Sequence, residues 1–328
     1  MEQVKIIASG IYLPQAIYSD EIEKKYDLVK GWSEKYSGVH KRHHVTFESN
    51  GYMGARAIED ALENCELDLS DMDLIVSASG TFDYIIPNQS SIIKSELKEG
   101  LKYNIPTIDI DTTCLSFVTA FEIVAKMLDG KQYKNIILVS SEISSNGLNP
   151  SNPETLTLFG DAAAAFVLTF DPSARSGLIK GMTRTYSEGV YQTIIEGGGN
   201  KNWFRENPFN ESQYTFNMNG RQLLKLTKNN IKGFLDEFFE DIPLSIHDID
   251  IIVPHQASKI GLMLFKQMYP QKSHIVMENL GEYGNCIAAS IPLLLHQCIV
   301  DKKLNRGNLC LTLGTSAGFS IGASLFRY

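Results

Sequence analysis

The segment DIDTTCLSFVTAFEIVAKMLDG, residues 109–130, joins two different patterns at a single cysteine, Cys114. The residues before it, IPTIDID, are short and β-branched, which is typical of a strand. The residues after it, FVTAFEIVAKML, are apolar almost all round, which is typical of a buried helix. At a helix N-terminus, free backbone N–H groups and the helix dipole would stabilise a thiolate. A buried structural cysteine is the simpler interpretation of this stretch alone, because cysteine is common in protein cores.

Strand-like runs alternate with helix-like segments along the whole chain, which predicts an α/β fold with a covered sheet. The second half repeats the order of the first. DIDIIVPHQAS (248–258) parallels DMDLIVSASG (71–80), and CIAASIPLLLHQCIVDKK (286–303) parallels CLSFVTAFEIVAKMLDGK (114–131). We therefore expect two similar halves, residues 1–172 and 173–328, with chance similarity between α/β segments as the alternative. Residues 187–221 lack periodicity, and a segment of this length without a pattern predicts an ordered functional loop.

Composition excludes several classes of protein. The 328 residues are 43% hydrophobic and 21% charged, as in an ordinary globular protein. The net charge of −8 argues against nucleic-acid binding, which requires a basic face. No run reaches the roughly 20 apolar residues of a membrane span, and no signal peptide is seen. The five cysteines include no CxxC pair, so we expect free thiols, no metal site and a cytoplasmic location.

Two further residues stand out beside Cys114. His255, in VPHQAS, follows a buried strand directly, and reacting groups gather at the carboxyl ends of strands in α/β sheets. Asn285, in YGNCIAAS, precedes a helix pattern, where an N-cap or turn is its ordinary role. We expect it to occupy the place in the second half that Cys114 occupies in the first, near the head of the equivalent helix, so the two helix heads could meet. Cysteine, histidine and asparagine also occur in papain-like proteases, but the context DTTCLSF differs from theirs.

Taken together, these motifs resemble the β-ketoacyl-ACP synthase III family of condensing enzymes. The resemblance covers nearly the whole chain, through SGIYLP, DTTCLSF, SSE, FGDAAAA, VPHQAS, YGN and the terminal GFSIGASLFRY. It implies a thiolase fold, in which two similar βαβαβαββ halves pack as a five-layered α-β-α-β-α core. It also implies an acyltransferase that condenses a Cys-bound acyl group with a malonyl- or β-ketoacyl-thioester. Thioesters of CoA or phosphopantetheine are then substrates, and no separate cofactor is expected.

The resemblance assigns roles to particular residues. Cys114 is expected to be the acylated nucleophile, and His255 and Asn285 to bind the thioester carbonyl of the malonyl group during decarboxylation. The backbone N–H groups of Cys114 and Ala317 are expected to form the oxyanion hole. The implied partners are an acyl carrier protein, acyl-CoA or both, and a second copy of the chain. In that homodimer, the segment TFDYIIPNQSS (81–91) would place Ile86 at the acyl pocket of the neighbour.

The chain departs from the family where CoA would bind. Trp32 lies where the family tryptophan stacks on adenine, but Tyr36 and Pro153 stand where two arginines are expected. Tyrosine and proline cannot replace the planar cation of arginine. We therefore expect an acyl donor carried by a protein, or a different mode of CoA binding in which Lys41 or Arg42 replaces the missing arginines.

Three more residues are expected to contact substrate or carrier. Leu115 follows the nucleophile where the family has a small residue, and Ser258 stands where an asparagine is usual. Lys225 matches a lysine that contacts the carrier protein, with Arg221 and Lys259 as basic neighbours. These departures favour a specialised enzyme. The alternatives are acyl transfer or long-chain or specialised-metabolite condensation without fatty-acid initiation, and a non-catalytic thiolase-fold partner that binds acyl carriers.

Overall fold

The computed structural model describes residues 1–203 and 209–328, which form two large sheets with helices between and outside them. The strands are β1 (Val4–Tyr12), β2 (Gln15–Tyr18), β3 (Lys41–His44), β4 (Leu74–Ser77), β5 (Thr107–Asp109), β6 (Asn135–Glu142), β7 (Ala162–Phe170), β8 (Gly177–Thr185), β9 (Thr193–Ile194), β10 (Asn217–Met218), β11 (Ile251–Pro254), β12 (Leu309–Ser316) and β13 (Ser320–Arg327). The helices are α1 (Ser19–Lys25), α2 (Trp32–Tyr36), α3 (Asn50–Glu63), α4 (Gln89–Glu96), α5 (Ser116–Met127), α6 (Pro153–Leu156), α7 (Gly220–Glu240), α8 (Lys259–Met268), α9 (Leu280–Tyr283) and α10 (Ser290–Val300).

The two large sheets have the same connectivity. The first has the order β1-β7-β6-β4-β5, with β4 parallel to β5 and β6, and β7 antiparallel to both of its neighbours. The second has the order β11-β12-β13-β8, with β11 parallel to β12 and β13 antiparallel to both of its neighbours. A parallel bridge from Ile252 to Val276 stands where the first sheet has β5. The predicted similarity of the two halves is confirmed, and we propose the β7–β8 connection as their boundary.

Five layers follow from the way the helices cover the sheets. Helices α5 and α10 lie in the middle, and their side chains share one core with residues of both sheets, including Leu138, Val124, Leu294 and Val253. Helix α3 covers the outer face of the first sheet, and α7 covers that of the second. Most residues of the two central helices are buried, because both helices pack between the sheets, while Ile123 and Lys126 of α5 and Val300 of α10 are exposed. The predicted thiolase-type α-β-α-β-α architecture is thus confirmed.

Matching turns precede the two central helices. A 3₁₀ turn, Thr113–Leu115, leads into α5, and a 3₁₀ turn, Ile287–Ala289, leads into α10. Thr113 and Ile287, the first residues of these turns, both have a left-handed backbone, with φ of 53° and 48°. Such a conformation is strained for β-branched residues and indicates a functional position. Both turns lie at the carboxyl ends of parallel strands, where the two sheets meet.

Candidate active site

A cavity of about 540 Å³ lies between the two matching turns. Its wall includes Cys114, His255 and Asn285, which come from three separate segments of the chain. Ala317 and Ser258 line the same cavity. The structure therefore brings together the three residues that the sequence singled out as reactive.

Cys114 is the middle residue of the turn before α5, and its side chain is partly buried. The sulfur lies within hydrogen-bonding reach of two backbone N–H groups, those of Ala317 and of Cys114 itself. These are the two groups that the family resemblance predicts for the oxyanion hole. Two N–H groups beside the nucleophile are well placed to stabilise negative charge that develops on an attacked carbonyl.

The pKa of the Cys114 thiol corrects one expectation. Burial raises it to about 12, and the nearby Glu142 carboxyl raises it further than the Ala317 N–H lowers it. The prediction that this helix head stabilises a thiolate is therefore wrong, because desolvation and a like charge outweigh the local N–H groups. Cys114 therefore rests as a neutral thiol at physiological pH.

His255 lines the same cavity as Cys114. It follows β11, and its backbone N–H donates to the Leu313 carbonyl at 2.8 Å, which continues the β11–β12 ladder. Its side chain is only 5% exposed, and burial lowers the pKa to about 4. The imidazole is therefore neutral at physiological pH. In the part of the chain that the structure describes, its Nδ1 has no hydrogen-bond partner.

Asn285 contributes a side-chain amide to the same cavity. Its Oδ1 accepts the Ile287 N–H at 2.9 Å, and its amide nitrogen makes one long contact of 3.5 Å to the Ala257 carbonyl, which leaves an N–H to donate to other groups. Asp111 makes the same contact in the first half, where its Oδ1 accepts the Thr113 N–H at 2.7 Å. Asn285 thus corresponds to Asp111. The expectation that it takes the place of Cys114 is wrong, since three residues after Asp111 is Cys114 and three after Asn285 is Ala288.

Of two further residues predicted to contact substrate, one lies in the cavity wall and the other does not. Ser258 lines the cavity, and its hydroxyl caps α8 by accepting the Gly261 N–H at 3.1 Å. Leu115 is fully buried, and its methyl groups pack where side chains of Gly314 and Gly322 would stand. The prediction that Leu115 contacts substrate is wrong, because its side chain points into the core beneath the second sheet.

An outer cavity of about 810 Å³ adjoins the inner one, and Ser258, Ile194 and Met218 line both. Its rim carries Arg221 and Lys259. The exposed residue Lys225 lies four residues after Arg221 on α7, as expected for a basic approach to the entrance. Together the two cavities form an open route from the surface to Cys114.

The CoA-clamp positions lie beside this entrance. Trp32 packs against Tyr36, with ring centroids 4.1 Å apart, and Tyr36 lines the outer cavity. Pro153 is the first residue of α6. Neither Tyr36 nor Pro153 offers a cation to a nucleotide phosphate.

The basic residues of β3 are both engaged with other groups of the chain. Arg42 is fully buried and donates from its guanidinium to the Thr157 carbonyl at 2.8 Å. Lys41 forms an ion pair with Glu282 at 3.0 Å. The alternative in which Arg42 contacts a bound nucleotide is wrong, because its side chain does not reach the surface.

Sequence reasoning missed a small apolar chamber behind the main cavity. It has a volume of about 40 Å³, and its wall is shared with the main cavity through Phe159, Phe216 and Ile195. Phe159 and Phe216 pack edge to face, with centroids 4.7 Å apart. Phe216 and Ile195 belong to the aperiodic segment 187–221, whose β9–β10 hairpin lies against the cavity; residues 204–208 lie outside the described chain. In the sequence, Phe159 is noted only as the first residue of the FGD motif, with no role in a cavity.

Ile86 lies away from the cavity of its own chain and is 85% exposed. Across residues 1–203 and 209–328, no group of three or more histidine, cysteine or acidic side chains is arranged to hold a metal ion. Within the same residues, every helix is too short or too polar to cross a membrane.

Comparisons with known proteins agree with this geometry. Residues 108–187 match the family model for 3-oxoacyl-[acyl-carrier-protein] synthase III, and residues 239–328 match the model for its C-terminal part. Together the two matches cover just over half of the chain. β-Ketoacyl-[acyl-carrier-protein] synthase III of Aquifex aeolicus is 29% identical over 327 residues, which is 99% of both chains.

Solved structures show the same relationship. The crystal structure of 3-oxoacyl-[acyl-carrier-protein] synthase III from Aquifex aeolicus superposes with a TM-score of 0.88 at 25% identity, covering 99% of this chain and 100% of that one. The priming β-ketosynthase of the R1128 polyketide pathway shares the fold, with a TM-score of 0.87 at 21% identity over 99% of this chain and 96% of its own. The chain therefore belongs to the β-ketoacyl-ACP synthase III family and is a condensing acyltransferase with the thiolase fold.

Proposed function

We propose that Cys114 accepts an acyl group and that the chain condenses this group with a malonyl thioester on an acyl carrier protein. The observation that carries the proposal is the composition of the inner cavity. A thiol facing two backbone N–H groups shares it with a neutral imidazole and the side-chain amide of Asn285. These groups match the needs of two successive reactions at thioester carbonyls.

In the first reaction, the Cys114 sulfur attacks the carbonyl of an acyl thioester. The negative charge that develops on the carbonyl oxygen is stabilised by the N–H groups of Cys114 and Ala317. The bond from the carbonyl carbon to the donor sulfur then breaks. Because Cys114 starts as a thiol, its proton must pass to the departing thiol, and the neutral His255 can relay it.

In the second reaction, a malonyl thioester loses its carboxylate as CO₂, and the electron pair forms an enolate. His255, in the tautomer that presents an N–H, and the Asn285 amide donate to the enolate oxygen. The enolate carbon then attacks the thioester on Cys114, and the released thiolate takes up a proton. A charge that exists only at this stage gains most from donors that are already in position.

The rear chamber favours an acyl group with an apolar end. Its wall contains Ile143, Leu148, Phe159 and Phe216, and its volume of about 40 Å³ accepts only one or two carbon atoms. An acyl chain on Cys114 that extends along Thr81 and Ile287 would reach this chamber, since both residues line it and the main cavity. We therefore propose a short acyl group as the preferred primer.

The donor is proposed to be an acyl carrier protein in preference to CoA. Tyr36 covers one face of the Trp32 ring, and Pro153 provides no charge, so a nucleotide lacks the clamp found in the family. Pantetheine requires only the open route through the two cavities. Arg221, Lys225 and Lys259 give the entrance a basic side suited to an acidic carrier.

Intact-protein mass spectrometry tests this proposal. The protein is incubated with acyl groups of increasing length, each presented once on CoA and once on carrier protein, and the added mass is mapped to a residue. We expect a short acyl group on Cys114, loaded faster from the carrier protein, and no label on the Cys114→Ser variant. Label on Cys65, Cys286, Cys298 or Cys310 would overturn the assignment, and faster loading from acyl-CoA would overturn the choice of donor.

We also propose that the chain acts as a homodimer in the cytoplasm. The tip of the loop after β4 exposes three apolar side chains, Tyr84, Ile85 and Ile86, by 66% to 85%. Its base is fixed by Asp83, which accepts the backbone N–H groups of Asn50 and Gly51 at 2.9 and 2.8 Å. A rigid base with an apolar tip fits insertion into a second copy. If the protein sediments as a monomer in analytical ultracentrifugation and is fully active at the same concentration, this proposal is contradicted.

A further inference from the structure

Glu142 is a buried carboxyl beside the nucleophile to which the reaction described above gives no task. It is the last residue of β6, its side chain is fully buried, and it forms no ion pair with a Lys or Arg of the described chain. A carboxyl in such a place is costly unless it makes specific hydrogen bonds.

The hydrogen bonds of Glu142 hold one short turn. Its Oε1 accepts the Gly80 N–H at 2.6 Å, and its Oε2 accepts the Thr81 hydroxyl at 2.6 Å. The Thr81 oxygen in turn accepts the Ile143 N–H at 3.1 Å and the Asn50 amide at 3.3 Å. With both of its acceptor positions used, the Thr81 hydroxyl has to direct its own proton toward Glu142.

This turn lies directly against the turn that carries the nucleophile. A methyl group added to Gly80 would stand 3.3 Å from the Cα atom of Thr113, so the two backbones are in close contact. Gly80 and Thr81 both line the main cavity beside Cys114. Movement of Glu142 would therefore move the wall next to the reactive sulfur.

We propose that Glu142 is a positioning residue for the nucleophile: it fixes the Gly80–Thr81 turn against the Thr113–Cys114 turn and, when ionised, its charge keeps Cys114 in the thiol form. Burial raises the pKa of Glu142 to about 8, and its charge is one cause of the raised pKa of Cys114. The other groups that interact with this carboxyl electrostatically are Asp111 and Cys286. Among residues 1–203 and 209–328, none of these partners is a cation, so ionisation of Glu142 makes the thiolate harder to form.

Alkylation of Cys114 by iodoacetamide tests the proposal without any acyl substrate, although its role in acyl loading rests on the proposed function. The rate at Cys114 is followed by peptide mass spectrometry between pH 6 and 10 in the wild-type protein and in Glu142→Gln. Glutamine retains the acceptor for the Gly80 N–H but cannot ionise. Glu122→Gln, a change in a glutamate on α5 that pairs with Lys126, is the matched control.

In the wild-type protein and the control, we expect the alkylation rate to rise with pH and to rise less steeply above about pH 8, where Glu142 ionises. In Glu142→Gln this change of slope near pH 8 should disappear. Alkylation of Cys114 at pH 9 should be about tenfold faster than in the wild-type protein, which corresponds to one pKa unit. Superimposable pH profiles for all three proteins would overturn the proposal. So would a change of equal size in Glu122→Gln.

The positioning role has a second test in Thr81→Val, which removes the hydroxyl bond to Glu142 and keeps the shape of the side chain. We expect acyl loading of Cys114 to slow by about tenfold with little change in melting temperature. Unchanged loading would overturn the positioning role. If the wild-type protein loads no acyl group while Glu142→Gln still changes alkylation, the proposed function fails and the effect of Glu142 on the thiol stands.

Discussion

The turn that carries Cys114 and the turn that follows Asn285 have the same backbone and different chemistry. In both, a serine at the head of the helix accepts a backbone N–H from the start of the turn, Ser116 from Thr112 at 3.0 Å and Ser290 from Cys286 at 2.9 Å. Both have a left-handed residue at the same place. Yet only the first turn carries a cysteine at its middle position, because Ala288 stands at the place that corresponds to Cys114.

The difference extends to the strands that lead into the cavity. His255 continues the β11–β12 ladder at the point where Ala78 continues the β4–β6 ladder, each through one backbone hydrogen bond. Asn285 corresponds to Asp111, and its amide donates where the carboxylate only accepts. Duplication of one scaffold thus supplies two matching sites at one cavity. We propose that the first half provides the covalent chemistry and that the second provides donors for an enolate.

The largest effect is expected when the nucleophile is moved to the second turn. In a Cys114→Ala, Ala288→Cys double variant, we expect acyl loading to fall by about 1,000-fold or more. The thiol at position 288 would be fully buried, and the Ala317 N–H that faces Cys114 would not face it. Mass spectrometry after incubation with the acyl donor measures the loss. Acylation at position 288 at a rate near that of the wild-type protein would show that the turns are functionally equivalent.

The second-largest effect is expected when Asn285 is replaced by aspartate, the residue type of its counterpart Asp111 in the first half. The Asn285→Asp variant keeps the acceptor for the Ile287 N–H, as Asp111 does in its own turn, so the fold should be retained. It loses the donor to the enolate, and we expect condensation to fall by about 100-fold, with acyl loading changed by less than about threefold. Rapid-quench measurement of the two steps checks this. Equal loss in both steps would contradict the assigned role.

The His255→Ala variant places an alanine in the second half, as Ala78 stands at the corresponding position of the first half. The folded pKa of His255 is about 4 and its ordinary value is 6.5, so between these pH values the unfolded chain binds the extra proton. Stability of the wild-type protein should therefore fall as the pH is lowered from about 6.5 to 4, by about 3 kcal/mol from this residue alone. His43, His44 and His296, whose pKa values are also lowered, add to the slope.

Urea unfolding at pH 7 and pH 4.5 measures this effect. The His255→Ala variant should be less stable than the wild-type protein at pH 7 because it leaves a cavity, but it should lose less stability on acidification. Parallel losses in the two proteins would mean that folding does not lower the pKa of His255.

The smallest effect is expected at Gly80, which corresponds to Ala257 in the second half. In the Gly80→Ala variant, the added methyl group would lie 3.3 Å from Thr113 and from Ile287, so the nucleophile turn must shift by a few tenths of an ångström. We expect acyl loading to slow by about three- to tenfold, with a stability change below about 1 kcal/mol. Gly233→Ala, on the exposed side of α7 with no atom within 4 Å, is the control. Equal loading rates in the two variants would contradict the close contact.

The sequence predicts the architecture because the pattern of apolar residues is repeated in both halves, and burial on one or both faces requires that pattern. Cys114, His255 and Asn285 could be found because each follows or precedes a strong element in a recognisable motif. Their protonation states could not, since the pKa values of about 12 for Cys114 and 4 for His255 come from tertiary burial.

The misassigned residues show the same limit. Leu115 and Arg42 are close in sequence to candidate functional positions, but both side chains are fully buried. Closeness in sequence does not show which way a side chain points. The rear chamber depends on Phe159 and Phe216, which are 57 residues apart and meet only after the β9–β10 hairpin folds over the cavity. Such contacts follow from the packing of an irregular segment, for which no periodic pattern exists.

The division of labour between the two halves is tested most directly by measuring malonyl decarboxylation in Cys114→Ala and in His255→Ala with the same malonyl carrier protein. The release of CO₂ does not require a nucleophile, whereas it requires the donors that stabilise the enolate. We predict that Cys114→Ala still releases CO₂ and that His255→Ala is slower than it by about 100-fold. Loss of decarboxylation in Cys114→Ala with retention in His255→Ala would contradict the account.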